Sequence, residues 1–309
     1  MKRRDFLTKT FAAGVLAGAA GIGVDALGKT LTESSSKAIS DAYDLVAVMN
    51  GEPGVMFDRA IEAMGGMSKF VKPGQKVVVK PNIGWDRVPE RAANTNPLLV
   101  KRIVEQCLKA GAKEVVVFDN PCDNQQKCYT NSGIEQAVKE AGGKMAPGNI
   151  ESNYVKIEIP KGKKLKQAKE HELILNSDVF INVPILKNHS SGVLTICMKN
   201  LMGIVWNRGI WHMHDLHQCI ADYATYRKPT LNVVDAYRVM KTNGPKGVSE
   251  ADVVMLKSLI ISTDMVAADA ASAKLLGVEP SSVDYIRYAS EMGVGEMDLT
   301  KLNIHRIKI

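Results

Sequence analysis

No two cysteines of this chain lie closer than the six positions that separate Cys122 from Cys128, and the total of five is odd. That spacing excludes the tight cysteine pairs of zinc knuckles and ferredoxin-type clusters, and the odd count excludes a fully paired disulfide framework. No internal repeat is visible. The longest apolar stretch, Phe11 to Val24, is short and rich in glycine and alanine. It falls below the ~20 residues that span a bilayer comfortably. A large surplus of one charge is also missing. The net charge is +7, and the first 28 residues carry four cations against two carboxylates, which leaves +5 for the rest. So small an excess gives no case for a nucleic-acid partner.

The amino-terminal stretch has a recognisable plan. Arg3-Arg4 precede Phe6-Leu7, a weakly apolar core follows, and small residues surround Ala26-Leu27-Gly28. This resembles a twin-arginine export signal over residues 1–28. It implies the twin-arginine export machinery as a partner, a periplasmic or extracytoplasmic location, and retention by an uncleaved signal as a variant of it. That route carries folded proteins, often with a cofactor already inserted. Residues 29–44 are polar and serine-rich and read as a linker, leaving residues 45–309 as the α/β domain.

Within that domain, apolar runs alternate with helical periods. Buried strands are expected at Leu45–Val48, Val77–Val79, Glu114–Phe118, Val179–Val183, Leu231–Val234 and Leu259–Ile261, with a last one near Asn303–Ile307. Asn96 and Pro97 open a helix that Gly111 closes, and further helices are expected over 216–226, 265–276 and 281–292. The alternation predicts an α/β fold, a largely parallel sheet with helices on both faces. Polar residues sit where strands end, at Lys80-Pro81-Asn82, Asp119-Asn120, Lys187-Asn188-His189, Asp235 and Asp264. Such ends gather ligand-binding side chains in open α/β sheets.

The richest block is 185–203. A strand running from Val179 to Leu186 gives way to Lys187, Asn188 and His189, then to Ser190-Ser191-Gly192. From Val193 to Ile204 the pattern is apolar nearly all round and predicts a buried helix that carries Thr195, Lys199 and Asn200. A buried ammonium needs a carboxylate or a bound anion, so Lys199 marks a site. If that helix starts at the Ser-Ser-Gly turn, its first amides face the same anion.

These motifs resemble the family known as domain of unknown function 362. The resemblance rests on Lys80-Pro81-Asn82, Thr95-Asn96-Pro97, Lys187-Asn188-His189, Lys199 to Gly203, Leu216-His217-Gln218, Val234-Asp235-Ala236, Asn243-Gly244-Pro245 and Ser262-Thr263-Asp264. It covers roughly residues 45–309 and implies no assigned reaction. Many relatives append a ferredoxin-like module with closely spaced cysteines, and no such cysteine cluster is expected in this sequence.

Three of the six histidines fall in Trp211-His212-Met213-His214-Asp215-Leu216-His217. Asp215 reads as a helix cap with Gln218 reaching back to it, and His217 as a first-turn residue held neutral by the helix dipole. The residues support an enzyme acting on a small anionic ligand. In it His189 and His217 move protons, and Lys187 and Lys199 supply charge. Asn82, Asn188, Ser190, Ser191, Asn200 and Asp235 line the site. A metal-assisted version places zinc or iron on His214, His217 and Asp222. Cys122 and Cys128 fit a local disulfide, a pair of thiolate ligands or free thiols. The rival readings are a metal or iron–sulfur redox protein and a non-catalytic ligand-binding protein. These residue types are compatible with isomerase, lyase, hydrolase or oxidoreductase chemistry.

Overall fold

The computed structural model describes residues 43–309; the arginine pair, the apolar stretch and nearly all of the polar linker lie outside them. Among the described residues the strands are β1 (Leu45–Met49), β2 (Lys76–Pro81), β3 (Glu114–Val117), β4 (Lys144–Met145), β5 (Tyr154–Glu158), β6 (Gln167–His171) and β7 (Val179–Val183). They continue as β8 (Ile185–His189), β9 (Val193–Thr195), β10 (Val205–Trp206), β11 (Leu231–Met240), β12 (Val253–Ser262) and β13 (Ile304–Lys308). The main sheet runs β13-β1-β12-β11-β7-β2-β3-β4, with β8 also paired to β11 and β9 to β8. A smaller sheet has the order β10-β6-β5.

The centre of the main sheet is parallel. Val78 of β2 faces Val116 of β3 on one side and Phe180 of β7 on the other. Strands buried on both faces need continuous apolar sequence, and the Val-Val-Val and Val-Phe-Ile runs supply it. The sheet is mixed because β12 runs antiparallel to both β1 and β11. On one face the helix Pro97–Lys109 buries Leu99, Val100, Ile103, Val104 and Cys107 beside the helix Pro53–Ala63. Its amino end is set as the sequence predicts, Asn96 accepting the Leu98 amide at 2.9 Å with Pro97 first. The other face is covered by Leu216–Tyr226, Met265–Leu275 and Asp284–Glu291. No helix among the described residues is long and apolar enough to cross a membrane.

Two local expectations are corrected. Pro184 divides the run Val179–Leu186 into β7 and β8; both pair with β11, in one register as far as Ile185 opposite Asp235, and the register shifts only beyond it, where Lys187 lies opposite Met240. More consequentially, Ser190-Ser191-Gly192 does not open a helix. It is the turn of a hairpin in which β9 pairs antiparallel with β8, Lys187 opposite Thr195. The helical segment starts only at Cys197 and is short, Cys197–Asn200 followed by a tighter turn over Leu201–Ile204. Apolar residues on every side look alike to a periodicity argument whether they come from a two-sided strand or a buried turn. The lysine-rich stretch Lys156–Lys169 forms the solvated β5–β6 hairpin.

Candidate functional site

Where β2, β3 and β8 end, a cavity of about 100 Å³ opens among residues that are distant in sequence. Lys80 closes β2, Asp119 follows β3, Lys187 and His189 end β8, and Lys199 and Asn200 come from the short helix. That helix is fixed from beneath. The buried Asp269 carboxylate accepts the Cys197 amide at 2.7 Å and the Met198 amide at 3.1 Å.

Amides hold the floor together. Asn200 Oδ1 accepts from Lys80 Nζ and from Asn82 Nδ2, both at 2.9 Å, while Asn82 Oδ1 accepts from Lys187 Nζ at 3.0 Å. Lys187 also donates to the Ala93 carbonyl. Lys80 is the one lysine of the floor with a carboxylate, Asp119 at 2.9 Å. Gly203 passes directly over that pair; a Cβ there would stand 1.9 Å from Asp119 Oδ1 and 2.7 Å from Lys80 Nζ. No larger residue fits.

Among the described residues, the remaining cations of the site have no such partner. Lys187 is 1 % exposed and is bound only by neutral carbonyl oxygens. Lys199 is 7 % exposed, and its ammonium meets the Met202 thioether at 3.5 Å. Arg208 reaches the Pro121 carbonyl at 3.2 Å and Cys122 Sγ at 3.3 Å. Amide carbonyls satisfy N–H geometry without cancelling charge. Burial, reinforced by the other lysines, lowers Lys187 from 10.5 to about 7. Burial lowers Lys199 to about 8. Lys80 is lowered as well, again by burial, with Asp119 opposing the shift.

His189 lines the cavity, and its ring state follows from its partners. Nδ1 faces the Ser191 and Gly192 amides, each at 3.2 Å. Amides can only donate, so Nδ1 carries the lone pair and the proton of the neutral ring sits on Nε2. Burial, and then Lys199 and Lys187, hold the ring far below its usual pKa. His189 is therefore a neutral donor. The Ser191 and Gly192 amides, expected to face an anion, are spent on orienting it.

The other sequence-derived candidates are dispersed. His217 is away from the cavity; its Nδ1 accepts the Tyr285 amide at 3.3 Å and its ring stacks on Tyr285. The histidine that does reach the cavity is His212, whose ring faces His189 at 6.5 Å. His214 lines a separate surface groove with Trp211 and Met213. Asp222 is buried and tied to the Lys164 and Leu165 amides and to Gln218 Nε2. Gln218 thus turns to Asp222, and the capping box expected with Asp215 is half made: Asp215 accepts the Gln218 amide at 3.1 Å. His214, His217 and Asp222 do not converge, and no three His, Cys, Asp or Glu side chains among the described residues are placed to hold a metal ion.

Asp235 is buried outside the lining, accepting the Asn96 and Tyr237 amides, and burial raises it to about 6. Asn188 Oδ1 accepts the Gly244 amide, and the Ser190 amide donates to the Gly244 carbonyl, so both serve the loop beside the hairpin. Cys122 and Cys128 are free thiols that part company: Cys122 is exposed at the cavity, whereas Cys128 is buried in the core of the opposite face. Arg208 is the participant that sequence reasoning misses. It sits in Trp206-Asn207-Arg208-Gly209, a stretch without periodicity or motif.

The chain is similar to several known proteins. The "Thylakoid-associated protein sll1697" of Synechocystis sp. is 26% identical over 250 residues, which cover 76% of this chain and 73% of that one. The lactate racemase apoprotein from Thermoanaerobacterium thermosaccharolyticum overlaps at a TM-score of 0.43 and 13% identity, over 69% of this chain and 53% of that one. A protein of known crystal structure from Thermotoga maritima overlaps at 0.44 and 13%, over 74% and 60%. The chain thus spans little more than half of either solved protein. The family described as "Domain of unknown function (DUF362)" matches residues 77–274, which takes in the whole cavity floor, and the chain belongs to that family.

Proposed function

We propose that this protein is an enzyme that binds a small anion, a carboxylate or a phosphate ester, and moves a proton on it. The observation that carries the reading is the charge imbalance of the cavity. Lys187, Lys199 and Arg208 have no carboxylate within ion-pair distance among the described residues, and Asp119 is committed to Lys80. Uncompensated buried charge is costly, and a bound anion is the partner that removes the cost. The volume of about 100 Å³ is that of a few water molecules, which admits a phosphate or a short carboxylate.

The roles follow from the geometry. Lys199 and Arg208 bind the anionic group. Lys187, lowered to about 7, exchanges its proton near neutrality and serves as base or acid. His189 Nε2–H donates to an oxygen on which negative charge develops, as a neutral imidazole can. Solvent-deuterium exchange tests this directly: short carboxylates and phosphate esters are incubated with the protein in deuterium oxide and followed by NMR. Deuterium enters a C–H beside the anionic group, and Lys187→Met abolishes the exchange. Binding without exchange for every such compound would leave a ligand-binding protein instead.

Export is proposed on the amino-terminal sequence alone. Replacing Arg3 and Arg4 by lysine is expected to leave a folded protein in the cytoplasm. Unimpaired export of that variant would remove the assignment.

A further inference from the structure

The short helix Gly209–Met213 has a second side. Arg208 and His212 line the anion cavity, but Ile210, 48 % exposed, and Met213, 82 % exposed, project onto the outer surface. Ile210 lines an apolar groove of about 260 Å³ walled by Trp206, Trp211 and Leu165, and Met213 lines the neighbouring groove that Lys164 borders. The β5–β6 hairpin borders the first groove, and the hairpin loop carries Lys161, Lys163, Lys164 and Lys166, all exposed and none ion-paired among the described residues. Lys156 and Lys169 on the strands are engaged with Glu158 and Glu151. Of the nearby carboxylates, Asp222 is buried against the hairpin loop and Asp215 caps its helix.

We infer that this surface docks the protein onto an anionic lipid bilayer. A solvated lysine loop alone would be unremarkable. Here it adjoins a methionine and an isoleucine that folding leaves in water, with a tryptophan between them and the hairpin. Exposed apolar tips beside unpaired lysines match a bilayer interface, where the tips enter the headgroup boundary and the cations meet lipid phosphates. An acidic protein would satisfy the lysines but gives Met213 no reason to stand free, and a second copy of this basic surface would repel itself. The inference is independent of the chemistry proposed for the cavity.

Vesicle flotation of the full-length chain tests it, comparing phosphatidylcholine vesicles with vesicles that also contain phosphatidylglycerol. Binding is expected to the anionic vesicles and to fall with salt. The triple variant Lys161→Gln, Lys163→Gln, Lys164→Gln should lower partitioning by about a hundredfold, from roughly one decade or less per lysine. Met213→Asp should lower it as well, and both variants should keep the wild-type melting temperature because the residues are exposed. Since every variant retains the amino-terminal apolar stretch, its contribution cancels from the comparison. Equal binding to neutral and anionic vesicles, unchanged by the variants, would overturn the inference. So would binding to heparin without binding to the anionic vesicles, or vesicle binding that Met213→Asp leaves unchanged, either of which indicates a polyanion surface only. Concentration-dependent self-association abolished by Met213→Asp, without vesicle binding, would assign the patch to a second copy and overturn it too.

Discussion

Two buried charged clusters lie on the same side of the main sheet, and they are built on opposite plans. In one, the fully buried Glu170 carboxylate receives Tyr223 Oη at 2.5 Å and the Arg227 guanidinium through both Nε and Nη2. One cation meets one anion, a hydroxyl fills the remaining site, and none of the three side chains lines the anion cavity. In the other, four cations surround a single carboxylate and an open volume. The first cluster is closed: its polar groups satisfy one another and fix the β6 strand to the helix Leu216–Tyr226. The second is open, because its charges balance only when something else is bound. Charge balance, rather than burial or polarity alone, separates a structural cluster from a site.

The largest effect is expected where the closed cluster is broken. Glu170→Ala leaves the Arg227 guanidinium and the Tyr223 hydroxyl without their partner and should cost about 3 kcal/mol. Chemical denaturation measures it, and anion binding in the surviving folded protein should be untouched. The matching change in the open cluster goes the other way. Lys199→Met keeps similar volume, removes an uncompensated ammonium, and should leave the unliganded protein as stable or about 1 kcal/mol more stable. Thermal melting checks that sign.

A pH series sharpens the contrast. Lys187 and Lys199 stand at about 7 and about 8 in the folded chain against 10.5 as the ordinary value. Between those limits the unfolded chain holds protons that the folded chain releases, so stability rises with pH across that window. The unliganded protein should melt higher at about pH 9 than at about pH 7, and affinity for an anion should fall over the same interval. Lys199→Met should flatten part of the rise. The smallest effect belongs to His217→Ala, which should leave anion binding unchanged, since that ring lies against Tyr285 and not at the cavity.

Much of this arrangement is legible in the sequence. The valine runs of β2, β3 and β7 announce a parallel sheet, and Asn96-Pro97 announces a helix start. A lysine in an apolar context such as Lys199 declares its own need for a partner. Lys187 and Asn82 are readable because strand ends converge at one rim, and Asn200 because it follows Lys199 in the same apolar block. Other features are not readable for definite reasons. The β8–β9 hairpin escapes because Val193–Ile204 is apolar on every side, which erases the difference between period two and period 3.6. His217 misleads because residues clustered in sequence scatter in space once a helix starts among them: His212 reaches the cavity, His214 a surface groove, and His217 the Asp284–Glu291 helix. Arg208 is invisible because its importance comes from the turn after β10, which no local pattern specifies.

The central claim is that the cavity is an anion site completed by its ligand. Titration calorimetry with inorganic phosphate and with short mono- and dicarboxylates, on wild type and Lys199→Met in parallel, tests it most directly. The account predicts one saturable site per chain for at least one of these anions, weakening as pH rises from about 7 to about 9 and lost in Lys199→Met while the variant stays folded. Absence of binding for every small anion, or equal binding by Lys199→Met, would contradict it.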